Sequence, residues 1–327
     1  MPGMHGNESP SLQTLRRNWY EIESWWTVST NEKPQLPGLK ILHKIGEGGM
    51  ASVWKAIDLK NHLETVAVKV LNVEFSANSD DVENFNHEAD ALKSFSHPNI
   101  VKCRRIEKFE RTWFYVMEFV DGYNFGTLLE RKQSLPEMDC LLIAESLSHA
   151  LNHAWNDHGI VHCDIKPENI MINTNGEIKL TDLGLCHTYD YIKEGEVDIP
   201  DHIMGTPAYI SPEQIYGDVV LDCRADIYSL AATLYHLSTG RVLFPGYDTD
   251  EMLKAHCDNT MSGRDPRVYK PGLSEGLCQL LEAMLVKDRD YRVSSWSDVY
   301  KMCQMVENGK VFKPRTDPAA SSVLLER

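Results

Sequence analysis

Near residue 120 the spacing of apolar residues changes from a period of two to a period of about 3.6, and that change limits the chain to a two-part architecture. Before it, residues 39–45, 51–58 and 65–71 are short, β-branched and alternating, separated by turn-forming Gly, Asp and Asn. They predict strands, with a further one over 113–117. One helix is expected among them, because Val82, Phe85, Ala89 and Leu92 share a face within 81–94. After the change, helical spacing covers 137–156, 225–238, 274–284 and 297–306. A small strand-rich lobe followed by a larger helical one is an α+β arrangement. The 327 residues suffice for two packed lobes with a cleft between them.

The chemistry concentrates in Val161-His162-Cys163-Asp164-Ile165-Lys166-Pro167-Glu168-Asn169-Ile170. Here a carboxylate, an ammonium and a carboxamide follow one another at short spacing between apolar flanks. Asp182 adds a second carboxylate behind the apolar run Ile178-Lys179-Leu180. A base, a cation and two oxygen ligands for a hard metal are what in-line phosphoryl transfer from a nucleotide requires. Upstream, Ile45-Gly46-Glu47-Gly48-Gly49-Met50-Ala51-Ser52-Val53 joins two expected strands, and its glycines suit a turn folded over phosphates. A dinucleotide-binding turn would lead into a helix instead, and a P-loop would need a following Gly-Lys-Ser/Thr. Lys69 sits on the apolar strand Val66-Ala67-Val68-Lys69. Alone it reads equally well as an edge lysine with its head in water; pointing into a cleft it needs a partner, which Glu88 on the next helix can supply. The exposed backbone of Met117, Glu118 and Val120 could hydrogen-bond a purine, with Ile45, Val53, Ala67 and Met171 sandwiching the ring.

Together these segments resemble the protein-kinase superfamily, specifically the eukaryotic-like (Hanks-type) serine/threonine kinases of bacteria. The resemblance also takes in His97-Pro98-Asn99, Gly205-Thr206-Pro207-Ala208-Tyr209-Ile210-Ser211-Pro212-Glu213, Arg224-Ala225-Asp226-Ile227-Tyr228-Ser229-Leu230 and Asp290-Tyr291-Arg292. It implies a bilobal kinase-like fold over 39–306, with a β-rich N-lobe (39–119) carrying one main helix and a mainly helical C-lobe (120–306). It implies Asp164 as the base, Lys166 as the group neutralising charge on the transferred phosphoryl, and Asn169 and Asp182 as Mg²⁺ ligands, with Mn²⁺ an alternative ion. Lys69 and Glu88 would anchor the ATP phosphates under Gly46 and Gly48. Glu213 with Arg292, and Asp226, would be structural supports; His162, Leu183, Leu92 and Cys103 would be packing. Lys166 and the Gly-Thr-Pro-Ala-Tyr stretch are similar to the serine/threonine pattern, so the implied acceptor is an aliphatic hydroxyl on a protein. The alternative is a pseudokinase, a nucleotide-binding scaffold with weak catalysis.

Three positions depart from the family. Ala51 replaces the third glycine of the loop, and Leu183 replaces phenylalanine in Asp-Leu-Gly. Cys163 replaces the arginine that would read a phosphate on the activation segment. From Asp182 to Glu213 there are seven acidic residues and one lysine, so a phosphate there would meet repulsion. Activity is therefore expected not to depend on phosphorylation of Thr188, Tyr189 or Tyr191.

A formal charge of −15 argues against nucleic-acid partners and anionic membranes. The closest two of the eight cysteines, Cys257 and Cys278, are too far apart for a metal-binding clip, so scattered thiols and the lack of a signal-like N-terminus point to the cytoplasm. Residues 1–38 stand apart. Leu12, Leu15, Trp19, Ile22 and Trp26 form an amphipathic stripe that either packs on the chain's own body or docks a regulatory partner. Residues 307–327 read as a loosely ordered polar tail.

Overall fold

The computed structural model describes residues 33–183, 187–188, 205–217, 221–312 and 324–325. The amphipathic stripe from Leu12 to Trp26 and the tyrosines at 189 and 191 lie outside the described residues.

The N-terminal lobe is one antiparallel sheet in the order β1-β2-β3-β5-β4, formed by β1 (Leu39–Glu47), β2 (Ala51–Asp58), β3 (Glu64–Leu71), β4 (Cys103–Phe109) and β5 (Thr112–Glu118). Strand alternation assigns its faces. Val66, Val68 and Val70 join Leu36, Trp54, Phe114 and Val116 in a core on one side. Ala67 and Lys69 point to the other side. In register with them, Val53 pairs with Lys69 and Lys69 with Tyr115, while Ala67 pairs with Met117. The helix α1 (Ser79–Ser94) covers this second face and starts where the Asn78 side chain accepts the Asp80 N–H. Its Phe85, Ala89 and Leu92 pack with Leu71, Cys103, Tyr115 and Leu183.

The strand β4 is the one full strand of this sheet absent from the sequence reading. Its charged run Arg104-Arg105-Ile106-Glu107-Lys108 hides the alternation. The two arginines are held by partners: Arg104 grips Glu64, and Arg105 Nη1 donates at 2.5 Å to the fully buried Asp58.

The C-terminal lobe begins with β6 (Gly122–Asn124), α2 (Phe125–Lys132) and α3 (Glu137–His158), then β7 (Ile160–Val161), β8 (Ile170–Asn173) and β9 (Ile178–Leu180). The short β10 (His187–Thr188) pairs with β7, and β6-β8-β9 form a small sheet. Helices α4 (Pro212–Tyr216), α5 (Cys223–Thr239) and α6 (Thr249–Cys257) follow, then β11 (Gly263–Arg264), α7 (Pro266–Tyr269), α8 (Glu275–Met284) and α9 (Trp296–Glu307). Helix α5 carries Ala, Leu, Ile and Tyr on every side, and it lies buried at the centre of the lobe. The tail returns to this lobe, where β12 (Leu324–Leu325) pairs in parallel with β11. Among the described residues no helix is long and apolar enough to cross a membrane.

One buried ion pair closes the lobe. Arg292 donates from Nη1 to Glu213 Oε1 at 2.6 Å and from Nη2 to Oε2 at 3.1 Å, with both side chains almost wholly enclosed. The remaining N–H groups reach the carbonyls of Val286, Arg224 and Lys287. Five hydrogen bonds on one guanidinium offset its desolvation; removing it would leave Glu213 as an unpaired buried charge. Arg292→Ala is expected to lower the unfolding free energy by about 3–5 kcal/mol. Denaturant titration checks this, and a loss below about 1 kcal/mol, the range of an exposed pair, would overturn it.

Candidate active site

The loop between β7 and β8 is held by its backbone before its side chains act. Asp226, buried in α5, accepts the His162 N–H at 2.7 Å and the Cys163 N–H at 2.9 Å. Burial pushes its carboxyl pKa upward, opposed by the nearby His162 ring and these two N–H groups. Gln214 donates to the Cys163 carbonyl at 2.8 Å, and Thr233 to the Ile165 carbonyl at 3.0 Å. Cys163 has φ of +65°, a left-handed conformation unusual for a residue with a Cβ. Its side chain is buried with Val161, Leu221 and Ala225.

The side chains of this loop then converge. Asp164 Oδ2 lies 2.7 Å from Lys166 Nζ, and Asp164 Oδ1 accepts the Thr206 hydroxyl at 2.7 Å. Lys166 in turn donates to Thr206 Oγ1 at 2.9 Å. Asn169 Nδ2 donates to the Asp164 carbonyl at 2.9 Å and to Oδ2 at 3.2 Å. With its amide nitrogen thus engaged, the Asn169 side-chain oxygen is the atom left for a cation. Thr206 was expected only as a marker of acceptor type; the structure makes it part of the site, bridging the base and the lysine. Its hydroxyl is 42 residues from Asp164 and 40 from Lys166 in sequence, so no local pattern marks it.

The second carboxylate is sewn to the first. Thr181 donates from its N–H (2.9 Å) and its hydroxyl (3.1 Å) to the Asn169 carbonyl. The His162 ring accepts the Asp164 N–H at Nδ1 (3.3 Å), so its Nε2, 3.2 Å from the Thr181 carbonyl, is the donor there. Asp182 follows with φ of +62° and a half-exposed side chain.

Lys69 links this arrangement to the upper lobe. Its ammonium lies 2.7 Å from Glu88 Oε1, 2.9 Å from Oε2, and 2.6 Å from Asp182 Oδ1. Burial alone would lower the Lys69 pKa, but the carboxylates of Asp182 and Glu88 override it and raise it. Burial would likewise raise Asp182, yet Lys69 holds it well below the usual carboxylate range. Glu88, enclosed more deeply and donated to by Tyr115 at 2.8 Å, is pushed by burial up to about 7 against the pull of Lys69. Lys69, Glu88 and Asp182 therefore meet, and the reading of Lys69 as a solvated edge residue falls away.

Three of the residues expected to flank a purine share one face of the sheet. Val53, Ala67 and Met117 share the sheet face that carries Lys69, while Ile45 and Met171 are half-buried. Glu118 donates its N–H to the Lys102 carbonyl at 3.0 Å. Val120 is buried, and its N–H has no partner among the described residues. An orphaned donor beside an apolar face suits the ring edge of a purine. In the glycine loop, Gly48 donates to the Ala51 carbonyl at 2.9 Å, closing the β1–β2 turn. Gly46, Gly48 and Gly49 all avoid positive φ, and a Cβ on Gly49 would meet nothing within 4 Å. Nothing in the turn itself demands glycine; what bare backbone provides there is close approach for a ligand.

The description of the protein kinase domain matches residues 39–307. The chain belongs to the protein kinase family. Similar proteins include the serine/threonine-protein kinase PrkC of Bacillus subtilis, 30% identical over 261 residues, which is 80% of this chain and 39% of PrkC. The serine/threonine-protein kinase PknA of Mycobacterium tuberculosis is 33% identical over 257 residues, 77% of this chain and 57% of PknA. PknA of Corynebacterium glutamicum is 33% identical over 278 residues, 83% of this chain and 57% of that protein. The chain thus spans between 39% and 57% of these kinases' length.

Measured against the family pattern, the kinase domain keeps Leu92, Cys103 and Leu183 in one buried cluster, with His162 enclosed beside Thr181. Leucine in place of phenylalanine at 183 preserves that contact. A divalent ion fits the donor set: Asn169 and Asp182 offer oxygen, and Mg²⁺ takes one or two protein oxygens together with phosphates and water. Among the described residues no group of three or more His, Cys, Asp or Glu could hold a metal without such help.

The Glu88 shift gives a pH-dependent expectation. A carboxyl raised to about 7 is ionised above that value and protonated below it, so Lys69 loses one of its two carboxylate partners as the pH falls and keeps only Asp182. The same shift makes this group's stability contribution decline as pH rises from its unfolded value toward 7. The Kd for Mg·ATP is expected to rise as the pH is taken from about 8 to about 6. Glu88→Gln should bind weakly, about tenfold worse than the parent at the higher pH (~1.4 kcal/mol), and nearly independently of pH. Calorimetric titration reads both; a variant with the parent's pH profile would overturn the assignment.

Proposed function

We propose that the protein is an ATP-dependent serine/threonine protein kinase that transfers the γ-phosphate of ATP to hydroxyls of protein substrates, acting in the cytoplasm. The observation that carries this reading is the contact of Asp164 with Lys166 and Thr206, joined through Asn169 and Thr181 to Asp182 and Lys69. One network contains a proton acceptor, two ammonium groups and two oxygen ligands. The buried or half-buried free thiols among the described cysteines suit a reducing compartment.

Each residue then has a task. Val120 N–H and the Glu118 carbonyl would take the adenine edge, between Ile45, Val53 and Ala67 above and Met171 below. Lys69, held by Glu88, would fix the α- and β-phosphates beneath Gly46 and Gly48. Mg²⁺ bound by Asn169 and Asp182 would neutralise charge on the phosphates. Asp164 would accept the proton of a Ser or Thr hydroxyl and orient its oxygen toward the γ-phosphorus. Lys166 would balance the charge building on the transferred group. Thr206 holds both in register, and the turn from Thr206 to Tyr209 beside them would seat the substrate backbone. The half-exposed, carboxylate-bearing Asp182 and the paired Lys69 weigh against the pseudokinase alternative.

Two tests follow. Asp164→Asn should abolish phosphotransfer to a serine-containing protein while leaving the Kd for Mg·ATP within about twofold of the parent. Thr206→Ala should lower kcat by about 10–100-fold, with Thr206→Ser recovering most of it, since serine retains the hydroxyl. A Thr206→Ala enzyme with unchanged kcat would remove that residue from the mechanism. Because Cys163 is buried among apolar side chains and carries no cation, phosphatase treatment should leave activity within tenfold, about 1.4 kcal/mol of barrier. A larger loss, measured against autophosphorylated enzyme, would show that activation-segment phosphate matters.

A further inference from the structure

At the segment that joins the lobes is an open concavity of about 570 Å³. Asn61 from the β2–β3 turn, Lys93 from the last turn of α1, and Lys102, Cys103 and Arg104 from the start of β4 line it, with Glu118 at the end of β5. Its volume lies in the range of small-molecule sites and is several times what a lone phosphate needs.

The charges around it do not cancel. Arg104 is occupied by Glu64, and Glu118 by Lys179 at 2.7 Å. Lys93 and Lys102 have no ion-pair partner among the described residues and no unreported contact. Two lysines without ion-pair partners therefore border one concavity in a molecule whose formal charge is −15. With Glu118 and Glu64 each engaged by another cation, the unbalanced charge along this wall is positive, and such an excess concentrates anions. The guanidinium of Arg104, already oriented by Glu64, adds fixed N–H groups at the same wall. Cys103 forms an apolar floor; burial pushes its thiol up to about 11, so it offers packing and not reactivity.

We propose that this cavity is a binding site for a small phosphorylated ligand whose phosphoryl group is held between Lys93 and Lys102. Two ammonium groups match the roughly two negative charges of a phosphomonoester at neutral pH. The remaining volume would accept a body of amino-acid or monosaccharide size, bordered by Asn61 and Cys103. The site stands apart from Asp164, Asp182 and Lys69 and does not depend on the catalytic reading. It does touch the inter-lobe segment: the Lys102 carbonyl accepts the Glu118 N–H at 3.0 Å, and the Lys102 N–H lies 3.4 Å from the Glu118 carboxylate. The Glu118 amide is thus a reporter beside the site whose own bond does not involve the lysine side chains.

The test is an NMR titration of the full chain with the nucleotide cleft first saturated by a non-hydrolysable ATP analogue and Mg²⁺. Inorganic phosphate, phosphoserine and glucose 6-phosphate are added in separate arms. The proposal expects saturable amide shifts at Lys93, Lys102, Arg104 and Glu118, and at least tenfold weaker binding in a Lys93→Gln/Lys102→Gln double variant. Tighter binding of phosphoserine than of phosphate would point to a phosphorylated peptide residue as the source, tighter binding of the sugar phosphate to a metabolite. Both lysines are exposed, and an unchanged melting temperature verifies that the variant folds. Shifts confined to the glycine loop, no saturable shift in any arm, or equal affinity in parent and variant would overturn the proposal.

Discussion

The catalytic geometry hangs from a carboxylate that does no chemistry. Asp226 sits in a helix buried on all sides, and both its oxygens accept backbone N–H groups of the His162–Cys163 stretch. A buried carboxylate without partners would be expelled or protonated; two N–H donors make its burial tolerable. The constraint is mutual, since those N–H groups belong to a loop turn with no strand to satisfy them. Once residues 162 and 163 are fixed, Asp164 emerges at a set angle. The Gln214 and Thr233 contacts then leave that loop little freedom to move.

A second constraint joins lobes of different construction. One ammonium, Lys69, reaches a carboxylate from a helix of the upper lobe and another from the end of β9 in the lower one. Either carboxylate alone could be matched locally. Placing both on one cation ties the position of α1 to that of Asp182, so displacement of the helix would disturb the oxygen expected to hold the metal. The Tyr115 hydroxyl reinforces this from the sheet, donating to the same Glu88. Alignment of the nucleotide and assembly of the metal ligands are therefore not independent events in this fold.

Much of this could be read from the sequence where side-chain type and spacing carry the information together. The strands β2 and β3 follow from alternation, and α5 from its helical spacing over 225–238. Lys69 could be picked out on an apolar strand, Glu88 as the partner such a lysine would need, and Asp164 and Asn169 from their short spacing and the resemblance to kinases. What escaped did so for identifiable reasons. The strand β4 carries charges that pair sideways with Asp58 and Glu64, so polarity no longer marks its exposed face. The Lys69–Asp182 contact spans 113 residues and depends on how the lobes close. Thr206 is one hydroxyl among many until the turn from Gly205 brings it against Asp164. The concavity beside Glu118 needs four separate segments in place, none of which is unusual alone.

Two residues beside the chemistry, Cys163 and Asp182, adopt left-handed backbone. Aspartate tolerates positive φ through its short polar side chain, but cysteine has no such relief. Such a conformation costs roughly 1–3 kcal/mol and persists only where surroundings over-determine it. At Cys163 the surroundings are in view: the N–H goes to Asp226, the carbonyl to Gln214, and the thiol into an apolar cluster. A longer side chain at 163 is not needed to hold that turn, because the backbone on both sides is already bonded. The loss of the family's arginine therefore removes a sensor for phosphate without loosening the loop that carries the base. The segment from Asp182 to Glu213 carries seven acidic residues and one lysine, a charge balance that would repel an added phosphate.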